Sequence, residues 1–163
     1  MSAKDYIMES KLHCLQTGLI NRIIECLNLQ NDSTKPKKTP TQLDPLAKDE
    51  QGPPRKEHWN YASIIGMMLY LSSNSRPDIA FAVNQCAWFT HCAKLSHELA
   101  VKRIARYLIG TRTKGLIIKP DASINLEIYA DADFAGLWNV EDPDDPISVK
   151  SRTGYVINLG GVP

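Results

Sequence analysis

The sequence predicts an α+β fold. Four stretches of 3.6-residue apolar periodicity come first, and short alternating stretches follow at the C-terminal end. A proline-rich segment with neither period separates the first helical stretch from the other three. The chain therefore divides at 1–29, 30–58, 59–113 and 114–163.

The first helical stretch, "LHCLQTGLINRIIECLNL", puts Leu19, Ile20, Ile23, Ile24 and Leu27 on one face, with Gly18 near its start. Residues 11–15 alternate weakly and read as a short strand. Pro36, Pro40, Pro45, Pro53 and Pro54 are half of the chain's 10 prolines and mark 30–58 as a long surface connection, expected to cross between subdomains. In "WNYASIIGMMLYLS" the residues Tyr61, Ile64, Ile65, Met68 and Leu69 share a face, and Asn60 is placed to cap it. "SRPDIAFAVNQCAWF" has Pro77 and Asp78 in its first turn, and its body is apolar nearly all round, which predicts the most buried helix. "SHELAVKRIARYLIGT" reads as a helix capped by Ser96 and ended by Gly110 as the residue just beyond it. Its core stripe is Val101, Ile104, Ala105 and Leu108.

The period then changes. "GLIIKP" reads as a short strand and "INLEIYAD" as a half-buried one, with Leu126, Ile128 and Ala130 against Glu127, Tyr129 and Asp131. "RTGYVINLGG" is its partner, with a turn at Gly160-Gly161. A third strand would come next, so the hairpin is expected to leave Tyr155, Ile157 and Leu159 poorly covered and to be the least stable part.

Composition excludes several classes. With 43% hydrophobic and 23% charged residues the chain is neither disordered nor membrane-embedded, and its longest apolar run, 64–71, is too short for a bilayer. No apolar core near the N-terminus reads as a secretory signal, so an intracellular protein without a membrane partner is expected; nothing selects cytoplasm or nucleus. Cys14, Cys26, Cys86 and Cys92 have no CxxC spacing and read as free thiols. Neither His13-Cys14 nor His91-Cys92 is a natural chelate, because neighbours on a helix point about 100° apart.

A net charge of +1 gives no general attraction to polyanions, but the charges are unevenly placed. Lys102, Arg103, Arg106, Arg112 and Lys114 fall within thirteen residues without an acid, the first three opposite the core stripe. Such a face either grips phosphates or is simply solvated. From 121 to 145 the sign reverses, with no Lys or Arg, and 141–145 reads as an exposed acidic loop. Asp131 and Asp133 end a strand beside small residues and lie roughly 7 Å apart on one face. That is wide for joint chelation of Mg2+, whose bonds to oxygen are about 2.0–2.1 Å. Two-metal chemistry needs further carboxylates from other elements. The pair alone leaves a metal site and a plain acidic strand end both open.

In order, "YASIIGMMLYLSSNSRPDIAFAVNQ", "HELAVKRIARYLIGT", "GLII", "YADADFAG" and "SRTGYVINLGG" resemble the Pol polyprotein of copia-type LTR retrotransposons over essentially the whole chain. The resemblance implies that 1–29 ends a reverse transcriptase palm and holds the first helix, that 30–58 is a connecting loop, that 59–113 is a helical thumb or connection subdomain, and that 114–163 holds the first strands of a truncated RNase H-like domain. It implies that Lys102, Arg103 and Arg106 belong to a basic helix on an RNA–DNA hybrid or duplex, and that Arg76-Pro77-Asp78 is a structural helix start with a local ion pair. Asp131 matches the first carboxylate of the RNase H metal site, and Asp133 is its neighbour in the motif. The family's paired-aspartate palm motif and its Glu-Ala-Glu continuation are not in this sequence. Mg2+ is thus implied for the parent enzyme, with the remainder of Pol as partner, while the chain alone is expected to bind no cofactor and catalyse nothing. The alternatives are a stand-alone nucleic-acid-binding helical module and a transposon relic without function.

Overall fold

The computed structural model describes residues 11–30, 35–44, 46–119, 121, 125–133 and 152–163. The chain forms two compact units, Cys14–Leu116 and the described parts of Met1–His13 with Ile117–Pro163. Helices and paired strands together make the α+β class expected.

The larger unit packs four helices: α1 (Thr17–Cys26), α2 (Tyr61–Asn74), α3 (Ala80–Ala87, entered through a 3-10 turn at Pro77–Ile79) and α4 (Leu95–Gly110). α1 buries Ile20, Ile23 and Ile24, with Leu27 just beyond it, which is the apolar face its spacing predicts. Asn60 caps α2 by accepting the Ser63 backbone N–H at 2.9 Å, and Tyr61, Ile64, Ile65, Met68 and Leu71 enter the core. The Tyr61 hydroxyl crosses to α3 and donates to the Cys86 carbonyl at 3.0 Å, so its polar end is satisfied inside the core.

Three helix details differ from expectation. α3 is not enclosed: Ile79, Ala82, Val83 and Cys86 are buried, but Phe81 and Trp88 are 55% and 42% exposed, because other elements cover only one side of it. The most enclosed helix is α4, where Val101, Ile104, Ala105 and Leu108 are at most 1% exposed. Ser96 does not cap α4; Lys94 is the N-cap, and His97, three residues on, accepts the Lys94 N–H at 2.8 Å. Gly110 is the last helical residue, with Thr111 as the cap. A Cβ on Gly110 would lie 2.9 Å from Pro36 Cβ, so close packing against the connection accounts for the glycine.

That connection does not cross between units. Its described residues, 30, 35–44 and 46–58, all belong to the helical unit.

In the smaller unit β3 (Leu126–Asp133) pairs antiparallel with β4 (Arg152–Leu159), in the register Leu126↔Leu159, Ile128↔Ile157 and Asp131↔Gly154. The turn after β4 uses Gly160 (φ 59°) and Gly161 (φ 74°), backbone that suits glycine. β3 is not half-buried: Leu126, Ile128 and Tyr129 are all exposed, as are Tyr155, Ile157 and Leu159 on β4. A two-stranded ribbon has two faces, and no described element covers either. β1 (Leu12–Cys14) and β2 (Leu116–Ile118) pair as a second small sheet.

Candidate functional site

The connection is a strap along α4, and a series of contacts fastens it. Near the start of the helix, the Leu95 N–H donates to the Pro53 carbonyl at 3.0 Å, and His97 Nε2 donates to the Ala47 carbonyl at 2.8 Å. Ser96 hydrogen-bonds Asp49 at 2.5 Å. One turn on, Glu98 Oε2 accepts the backbone N–H groups of Lys56 and Glu57 at 3.0 and 3.1 Å. Further along, Arg103 donates to the Thr41 carbonyl at 3.1 Å and to Thr39 Oγ1 at 2.9 Å. At the far end the Lys37 N–H donates to the Arg106 carbonyl at 3.3 Å. Polar side chains on one helix face thus supply the backbone partners that a strap without secondary structure lacks.

His97 is fully buried and stacks on Phe89 with ring centroids 4.3 Å apart. One ring nitrogen accepts and the other donates, which fixes a neutral imidazole. Burial holds its pKa below the usual histidine range, against the opposing hydrogen bond to Ala47. Glu98 is 1% exposed. Burial pushes its carboxyl up, but the Glu57 N–H, the Lys102 ammonium and the Lys56 N–H outweigh that and hold it below the carboxylate range. Arg55 lies over the Trp59 ring, 4.2 Å from its centroid, with its Nε 3.9 Å from Glu98.

The basic residues of α4 therefore differ in kind. Lys102 does not face solvent: its side chain is 12% exposed and it pairs with Glu57 and, at 3.3 Å, with Glu98. Arg103 spends two nitrogens on the strap. Arg106 is half-buried, Arg112 and Lys114 are exposed, and none of the three makes a side-chain hydrogen bond or ion pair with a described residue. The strap adds exposed Lys37 and Lys38 beside Arg106. No spacing pattern signals this last grouping, because it depends on where the strap lies.

The Arg76-Pro77-Asp78 motif is a closed network. Arg76, 1% exposed, forks onto Asp78 with Nε and Nη2 at 2.9 and 2.8 Å. It also donates to the carbonyl and hydroxyl of Thr111 at 3.0 and 2.7 Å, at the C-terminal end of α4, where a cation is favoured. The Tyr107 hydroxyl donates to Asp78 at 2.7 Å. Burial acts to raise the Asp78 pKa, but the hydrogen bonds from Arg76 and Tyr107 and the Arg76 charge bring it below the usual range. The motif locks the end of α4, as a structural helix start with an ion pair requires.

Asp131 is exposed and sits across from Gly154; Asp133 lies two residues on, at the end of β3. Among the described residues no three of His, Cys, Asp and Glu converge on a point where a metal ion could sit. Asp131 by itself supplies one carboxylate of the several that a two-metal site needs. The acidic stretch 141–145 and residues 134–136 lie outside the described residues. No helix among the described residues is long and apolar enough to cross a membrane.

The chain is homologous to a segment of the retrovirus-related Pol polyproteins of copia-type transposons. It is 37% identical over 93% of its length to the Pol polyprotein from transposon RE1 of Arabidopsis thaliana, and 34% identical over 93% to that from transposon TNT 1-94 of Nicotiana tabacum. It spans only 10% and 11% of those proteins. It is also 37% identical, over 62% of its length, to secreted RxLR effector protein 161 of Plasmopara viticola, of which it spans 66%. No family model and no solved structure matches the chain.

Proposed function

We propose that the helical unit is a thumb or connection part of a reverse transcriptase, that the hairpin opens an RNase H-like domain, and that both belong to a longer Pol polyprotein. The helical unit grips an RNA–DNA hybrid or duplex through Arg103, Arg106, Arg112 and Lys114, joined by Lys37 and Lys38. Lys102 holds the strap instead. The observation that carries this reading is the group of basic side chains that make no hydrogen bond or ion pair with a described residue, Arg106, Arg112 and Lys114, in a chain homologous to Pol over nearly its whole length. Cations without a protein counter-charge beside them neutralise phosphates without reading sequence.

Asp131, with Asp133 beside it, supplies part of the carboxylate set that holds Mg2+ in the longer enzyme. The chain alone neither polymerises nor hydrolyses, because a two-metal site needs carboxylates from several elements. The test is incubation of the purified chain with a labelled RNA–DNA hybrid and Mg2+. Binding without cleavage is expected; cleavage abolished by Asp131→Asn would overturn the assignment.

A second reading is a stand-alone nucleic-acid-binding helical module; the match that spans 66% of secreted RxLR effector protein 161 bears on its stand-alone part alone. A transposon relic is separated from both by the flanking DNA: in-frame palm and Glu-Ala-Glu segments there indicate a split piece of an element, stops and deletions a relic.

A further inference from the structure

Between the strap and helices α3 and α4 lies a cavity of about 250 Å3, lined among others by Leu46, Ala82 and Ile104 and by the polar side chains of Asp44, Gln85 and Arg103. Gln85 is out of character for a core position. It is 5% exposed, and its amide hydrogen-bonds no described residue. Its amide atoms are not among the enclosed polar atoms left without a partner, so they open into the cavity, where a ligand atom can meet them. A carboxamide sets one donor and one acceptor side by side, which matches the edge of a nucleobase or a peptide group. The surrounding charge selects between these. Arg103 lines the cavity, Arg106 is one turn along α4, and Lys37 and Lys38 follow on the strap, against Asp44 among the lining residues. An anionic ligand with a flat, amide-edged body fits both features, and the small volume suits one base.

We propose that this cavity receives a single unpaired nucleobase, paired at its edge by Gln85, while the cationic rim takes its phosphate. The inference rests on the nucleic-acid reading above and adds a base-dependent contact to it.

The test compares binding of the full chain to three RNA–DNA hybrids: fully paired, with one bulged adenosine, and with an abasic nucleotide at the bulge. The adenosine bulge is expected to bind about tenfold more tightly than the abasic one. Gln85→Leu should erase that difference, and so should Ala100→Phe, which fills the cavity from α4, while the fully paired hybrid still binds both variants. Equal affinity for the adenosine and abasic bulges overturns the cavity assignment but not the phosphate grip. Failure of all three hybrids to bind overturns both.

Discussion

The Glu98 carboxylate accepts the Glu57 backbone N–H at 3.1 Å, although 41 residues separate the two in the chain. The same oxygen takes the Lys56 N–H, and the other oxygen meets Lys102. One buried carboxylate thus fixes both the strap and a lysine that would otherwise face solvent.

Glu98→Ala leaves two backbone donors without their acceptor and removes one of the two carboxylates that hold Lys102, and a cost of about 3 kcal/mol or more is expected. Glu98→Gln keeps an acceptor and should cost clearly less. Urea unfolding of the two variants measures this, and near-wild-type stability of Glu98→Ala would show that the strap is held elsewhere.

His97 predicts an acid-side loss of stability. Its folded pKa lies below the unfolded value of about 6.5, so below that pH the unfolded chain binds the proton first. Its contribution is complete above about pH 6.5 and falls as the pH drops toward the folded pKa. Thermal unfolding between about pH 7 and 5 should show the decline, with a shallower slope in His97→Gln.

Arg76→Lys loses the fork onto Asp78 and the paired contacts to Thr111, because a single ammonium cannot reproduce a planar guanidinium. A loss of about 2 kcal/mol or more is expected, against roughly 1 kcal/mol for Tyr107→Phe, which removes one hydrogen bond. Denaturant midpoints that rank the two in the opposite order would place the main support of this network on Tyr107.

Gly110→Ala tests the seat of the strap. In an open helix the change would stabilise by up to about 1 kcal/mol. Here the new Cβ meets Pro36, so no gain is expected unless Pro36→Gly is added. Thermal melts of the single and double variants check it.

Much of this was legible in the sequence. The apolar faces of α1, α2 and α4, the Asn60 cap and the β3–β4 hairpin follow from spacing and turn residues alone. The exposed apolar residues of the hairpin, Tyr155 and Ile157 among them, were expected as well. What spacing could not show was the strap, since 35–58 has no period and its contacts depend on partners 41 to 69 residues away. For that reason Lys102 looked solvent-facing, Ser96 looked like a cap, and Gly110 looked like a helix terminator. Lys37 and Lys38 join Arg106 only in three dimensions.

The most direct test of the central claim is the salt dependence of RNA–DNA hybrid binding by the whole chain. Affinity should fall steeply with salt, and replacing Arg106, Arg112 and Lys114 together by Ala should flatten the log–log slope by about three. Lys102→Met should leave the slope unchanged, because that charge already belongs to Glu57 and Glu98. Binding indifferent to salt, or a triple variant that binds like the wild type, would contradict the account.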